Sequence, residues 1–169
     1  MKNPMSFSQV GGTAYICGHD WAGQTEGVQT IDLDSASLKQ TMLLDEKTLA
    51  MDITGVEVFD AALGIFHSSA WVEDGGEWVQ VGAAYWFDPA TGEMGESLPV
   101  PTPEGGAVFF DGLVYVASRD NEASGIYPVD PVKNTLSGDT MASSLPPSSM
   151  VYIADHEPTA VAEESMPAS

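Results

Sequence analysis

Basic side chains are scarce: five Lys and Arg stand against 25 Asp and Glu in 169 residues, leaving a formal charge of −20. Phosphate binding is driven by Lys and Arg, so nucleic acid is disfavoured as a partner, and an anionic membrane with it. Cysteine occurs once, at Cys17, and no disulfide can form within the chain. His19, two residues on, falls on the same side of a strand. A reactive thiol needs an activating neighbour, however, and a small buried hydrophobe is the simpler reading of Cys17. No apolar run is long enough to cross a bilayer. The opening MKNPMSFSQV, with one Lys and no apolar stretch, does not read as a signal peptide, so the leader of an exported form would have been removed or would lie upstream. A nucleophile elbow, a phosphate-binding loop and a His-Glu-x-x-His helix are all lacking. Paired carboxylates leave no such signature, and glycoside chemistry stays open on that ground.

What is present is repetition. GGTAYICGHD (Gly11 to Asp20) returns as DGLVYVASRD (Asp111 to Asp120) at an offset of 100 residues, with Tyr15 on Tyr115 and Cys17 on Ala117. A third copy lies between them, where Phe59-Asp60 matches Phe110-Asp111 and Ile65-Phe66 matches Tyr115-Val116. A second pattern follows each copy: TIDLDSASL around Asp34, YWFDPATGEM around Asp88 and YPVDPVKNTL around Asp130, spaced 54 and 42 residues apart. Asp followed by Pro pre-sets a type I turn between two strands. Repeats of about this period signal solenoids, propellers or arrays, because one unit cannot bury its own surface.

The last unit divides most clearly into four strands: Ala107 to Phe110, Leu113 to Ser118, Gly125 to Val129 and Thr135 to Met141, with Asp111-Gly112 as a hairpin turn. Its second strand is apolar on both faces, as expected of a sheet covered on both sides. Four-stranded antiparallel units stacked face to face are the blades of a β-propeller. On Tyr115-Val116 and Asp88-Pro89-Ala90-Thr91-Gly92 the chain resembles the bacterial YVTN and quinoprotein-like repeat propellers, over roughly Phe7 to Asp155. The expectation is an all-β, propeller-like array of three four-stranded antiparallel blades. Its units cover about 7–49, 50–101 and 102–149, a partial strand follows at 150–154, and 155–169 form a flexible acidic tail. Three blades do not close a ring. The array is either open, as part of a longer product, or completed by a second copy in a six-bladed homodimer.

Several constellations are candidates for function. GIFHSSAWVEDGGEWVQVGAAYWF reads as a long hairpin inserted in the middle unit; a turn at Asp74-Gly75 would set Trp71 against Trp78, whereas a one-residue change of register would pair Val72 with Val79. That pair either stabilises the hairpin or forms a stacking platform for a carbohydrate or protein ligand. His19 aligns with Arg119 and His67 lies near the corresponding place, so the three would gather at one end of neighbouring second strands, where a propeller presents its axial mouth. Too few metal-binding side chains converge there for zinc. Asp120, Glu122 and Ser124 before Gly125 imitate the start of a calcium loop, but Pro131 stands where the bidentate Glu belongs. No cofactor is expected, with calcium as the exception to test. The functional expectation is a non-catalytic propeller module acting as a binding scaffold on an exported bacterial protein, extracellular or periplasmic. The alternatives are part of a propeller lyase, hydrolase or quinoprotein-like dehydrogenase, and a calcium-dependent adhesion module.

Overall fold

A computed structural model of the chain describes residues 3–19 and 26–151. Strands β1 (Asn3–Val10), β2 (Thr13–His19), β3 (Gly27–Asp32) and β4 (Gln40–Asp45) pair in chain order as one sheet. A single helical turn, α1 (Glu46–Leu49), leads to a second sheet of β5 (Asp52–Val58), β6 (Gly64–Asp74), β7 (Glu77–Phe87) and β8 (Met94–Ser97). The third contains β9 (Ala107–Phe110), β10 (Leu113–Ser118) and β11 (Gly125–Asp130), with two short pieces, β12 (Thr135–Leu136) and β13 (Met141–Ala142), beside β11. Every pairing is antiparallel.

Three of the four strands expected in the last unit lie where the pattern puts them. The fourth is broken in two, because the chain leaves the ladder after Leu136 and Gly138 takes a φ of 95°, a left-handed conformation natural to glycine. The hairpin turn at Asp111-Gly112 has φ of 49° and 78°, the double-positive geometry that matches the twist of the flanking strands.

The repeated aspartate turns are also present, with one correction. Asp88 Oδ1 accepts from the amides of Ala90 and Thr91, and Asp130 Oδ1 from those of Val132 and Lys133. In the first unit the carboxylate in this role belongs to Asp32, which accepts from Asp34 at 3.0 Å and Ser35 at 3.1 Å, and not to Asp34. The turn is fixed by a side chain reaching the amides two and three residues ahead, and only Asp32 stands at the end of its strand.

Successive side chains on a strand point to opposite faces, and the middle sheet shows the result. Phe66 joins Tyr15, Cys17, Val28 and Leu44 in a core against the first sheet. Its neighbour Ile65, with Trp86, joins Val114, Val116 and Val129 in a core against the third. The sheets therefore stack face to face as three consecutive propeller-like blades with the middle one covered on both sides. Innermost strands β1 and β5 lie side by side. Ser6 and Ser8 of β1 accept hydrogen bonds from the amides of Val56 and Val58, both at 2.9 Å, which satisfies the free edge of β5. On the outward faces, Phe7 and Met42 of the first blade and Phe110 and Met141 of the third are exposed. The tail 155–169, most of the partial strand 150–154 and His156 lie outside the described residues.

Candidate functional site

At one end of the blades a cleft of about 580 Å³ opens between the starts of β1 and β5, the approach to β9 and the segment Ser148–Met150. Glu57, Thr54 and Gly55 come from β5, His67 and Ser69 from β6, Gln80 from β7, and Arg119 from the end of β10. Backbone hydrogen bonds hold the Thr102–Gly106 loop to that end of β10: Arg119 N–H and Glu104 N–H both donate to Thr102 O at 2.9 Å, and Gly105 N–H to Ala117 O at 3.0 Å. The cleft is thus built on sheet ends and one tied loop.

His67 is its central group. The ring is buried, with 5% of the residue exposed, and Gly55 across the ladder leaves it room: a methyl there would stand 3.2 Å from ring Cδ2. Nδ1 hydrogen-bonds the Pro103 carbonyl, and Nε2 lies 2.6 Å from Glu57 Oε2. A carbonyl and a carboxylate both accept, so both contacts are satisfied together when both ring nitrogens carry protons, as an imidazolium paired with a carboxylate. Burial alone pushes the imidazole down. The hydrogen bond and charge of Glu57, the Pro103 carbonyl and the charge of Glu104 outweigh it and hold His67 above its ordinary range.

The repeat explains why a histidine stands here. With Ile65 on Tyr15 and Tyr115, His67 falls on Cys17 and Ala117, the position of the second strand that faces the next blade. Cys17 Sγ donates to Ile53 O at 3.3 Å, and His67 Nδ1 reaches Pro103 O; in both cases the acceptor lies 36 residues downstream, at the entry to the following blade. One inter-blade hydrogen bond is made twice, once by a thiol and once by an imidazole. The Cys17 thiol is buried and pushed up to about 12, first by burial and then by the charges of Glu46 and Glu57, so it is a packing group and not a nucleophile. Nearby, Glu46 Oε1 accepts from Ile53 N–H at 2.7 Å.

Of the residues singled out by sequence, His67 and Arg119 line the same cleft. His19 ends β2, and its side chain lies outside what the structure describes. Trp71 and Trp78 are on the long hairpin, which takes the second of the two registers the sequence admits. The turn is Gly75-Gly76, with φ of 61° and 91°, and it sets Val72 opposite Val79, Trp71 opposite Gln80 and Glu73 opposite Trp78. Two successive glycines satisfy a double-positive turn better than Asp-Gly, and the register moves accordingly. The tryptophans are therefore diagonal neighbours on one face, 62% and 66% exposed. Asp120 Oδ1 accepts from the amides of Glu122 and Ala123, so the segment that imitates a calcium loop is a hydrogen-bonded turn. Among the described residues no three His, Cys, Asp or Glu side chains gather as a metal site. No helix among them is long and apolar enough to cross a membrane. Sequence reasoning did not single out Glu57, Glu104 or Gln80. The signal that could have found them is the match of Ile65-Phe66 with Tyr115-Val116, which sets His67 on Cys17 and Ala117, two residues short of the His19 and Arg119 position expected of it.

No family model matches the chain, and no curated protein does. Among solved structures it is similar to a mutant of the GH43 protein BlXynB from Bacillus licheniformis, with 12% identity and a TM-score of 0.49. The match covers 82% of this chain and 31% of that one, so the present chain spans less than a third of that protein's length.

Proposed function

We propose that the chain is a propeller-type binding module that holds a polar ligand in the cleft at the blade ends without transforming it. The observation that supports this most directly is the state of His67. Catalytic proton transfer needs a group free to give and take a proton near the reacting atom. Both nitrogens of the cleft's histidine are engaged, one by a backbone carbonyl and one by Glu57. The imidazolium therefore ties the middle blade to the third, as Cys17 ties the first to the middle. Among the rest of the lining, Ser69, Gln80, Glu104 and Arg119 offer donors and acceptors of both kinds, as suits ligand orientation. The resemblance to bacterial YVTN-type repeat propellers, with export from the cell, belongs to the same reading.

The test sets binding against turnover. The full chain is incubated with chromogenic glycosides for hydrolysis and with polyuronates, followed at the absorbance of unsaturated products, for lyase activity. The expected result is no turnover above a buffer control. Turnover that disappears in Glu57→Gln or Glu104→Gln would favour the enzyme reading and overturn the binding module.

A further inference from the structure

The face of the middle blade that carries His67 does not stop at the cleft. Partners in an antiparallel ladder share a face, and residues two apart on a strand do too. The ladder therefore runs from His67 and Ala84, through Ser69 and Gly82, to Trp71 and Gln80, then to Glu73 and Trp78. Ser69 and Gln80 line the cleft, while Trp71 and Trp78 stand just beyond, where β6 and β7 have outgrown the neighbouring strands. β5 reaches only as far as Ser69, and β8 only Tyr85. One continuous surface thus passes from a polar cleft onto an arm that presents two indole faces.

We propose that this surface, cleft and arm together, is the binding site for a neutral oligosaccharide chain. The proposal rests on the binding-module reading and names its ligand class. A sugar ring offers an apolar face for an indole and a rim of hydroxyls for polar side chains, and the surface supplies these needs in sequence. Diagonal neighbours across a ladder stand about 7–8 Å apart, so the two indoles underlie an extended chain and not one compact ligand. Gln80, directly opposite Trp71, places amide donors and an acceptor beside that platform. Charge selects among saccharides. The His67–Glu57 pair is internally neutralised, and Glu73 and Glu104 flank the path with Arg119 opposed to them. An acidic saccharide or an acidic peptide would meet a repulsive field, whereas a neutral chain meets none.

The test is affinity electrophoresis of the full chain in gels containing neutral polysaccharides (β-glucan, mannan, galactan, xylan) or polygalacturonate, followed by calorimetry with oligomers of whichever retards it. The expected result is retardation by at least one neutral polymer and none by polygalacturonate. Trp71→Ala and Trp78→Ala should each weaken oligomer binding tenfold or more, with unchanged melting temperatures, since both rings are exposed. Gln80→Ala should weaken binding as well. Mobility unaffected by every neutral polymer overturns the proposal, as does retardation by polygalacturonate alone or capture of a peptide in place of a saccharide. Binding that survives both tryptophan substitutions removes the arm from the site and overturns it too. Cleavage of a bound neutral oligomer would leave this inference standing and defeat the non-catalytic reading instead, so the two failures are told apart.

Discussion

Replacement of His67 tests the cleft's construction directly. The imidazolium donates to a buried carbonyl and to a carboxylate whose side chain is 28% exposed. Breaking a fully buried pair costs about 3–5 kcal/mol, and hydrogen bonds to charged groups about 1.5–3 kcal/mol. Water reaches Glu57, which places His67→Ala near the lower end, about 3 kcal/mol. For a domain of this size that lowers the melting temperature by about 6–12 °C. The pH dependence carries the sharper signature. Because the folded-state pKa of His67 is raised above the unfolded value of about 6.5, the folded chain binds more protons than the unfolded one in the window between them. The contribution of His67 is therefore complete below about pH 6.5 and is lost as pH rises through the folded pKa. Urea unfolding of wild type and His67→Ala at pH 6, 7.5 and 9 should show the largest stability difference at pH 6 and the smallest at pH 9. Glu57→Gln keeps an acceptor for Nε2–H but removes the charge, so it should flatten that slope at a cost of about 1–2 kcal/mol. A difference that is constant, or that grows with pH, would refute the imidazolium assignment, as would nitrogen NMR showing a single protonated ring nitrogen at pH 7.

Three further outcomes follow from the packing. Phe66 is fully buried and lies 5.4 Å from the ring of Tyr85 and 6.2 Å from that of Phe87, so Phe66→Ala should cost about 3–5 kcal/mol in urea unfolding. The Cys17 thiol, buried and pushed up to about 12, should resist aromatic disulfide reagents at pH 8 in the native protein and react at once in denaturant. Asn134 takes a left-handed φ of 51°, accepts from Trp86 Nε1 at 2.9 Å and donates to Ser97 O at 2.9 Å, clasping the third blade to the middle one. Asn134→Gly keeps the backbone conformation and removes the clasp. It should lower stability by about 1–2 kcal/mol and raise exposure of Trp86, read by fluorescence quenching.

The blades were legible because two independent signals agreed. The repeated apolar run of β10, apolar on both faces, gave the strand, and the positive-φ dipeptide Asp111-Gly112 gave the turn that returns it to β9. Where two readings competed, the strand pairing had to decide between them. Asp32 and Asp34 stand two apart, and Asp34, followed by the small Ser35, matches Asp88-Pro89 and Asp130-Pro131 better than Asp32, followed by Leu33, so the pattern points to the wrong carboxylate. The strand end decides, and that depends on the ladder with β2. Asp74-Gly75-Gly76 likewise admits two registers, and the pair of positive φ angles selects the later one. The cleft was hidden for a different reason. The acceptors for Cys17 and His67 are the carbonyls of Ile53 and Pro103, and a backbone carbonyl has no letter in the sequence. Glu57, the partner that charges His67, is one carboxylate among 25 acidic residues, and only its place across the ladder from Ile65, two residues from Gly55, brings it to the ring.

The acidity itself has two origins, and separating them clarifies what the surface selects. Asp32, Asp60, Asp88, Asp120 and Asp130 each accept an amide two residues ahead, and Asp45 does the same at the start of α1. These carboxylates are demanded by turn geometry. A repeat fold that closes its hairpins with Asx turns accumulates negative charge in proportion to its blades, whatever it binds. Glu73 and Glu104 are different. Both are exposed, neither caps a turn, and they stand along the path from the arm to the cleft. Screening at physiological ionic strength shortens the reach of the turn carboxylates to about 8 Å, so they contribute little to a ligand seated between the blade ends. Discrimination in the site then falls to the near groups, and the long hairpin is where they meet: its base supplies His67 and Ser69, and its arm supplies Gln80 with Trp71 and Trp78. The insertion that sets the middle unit apart from its two neighbours in sequence is thus the element on which a polar cleft becomes an extended binding surface.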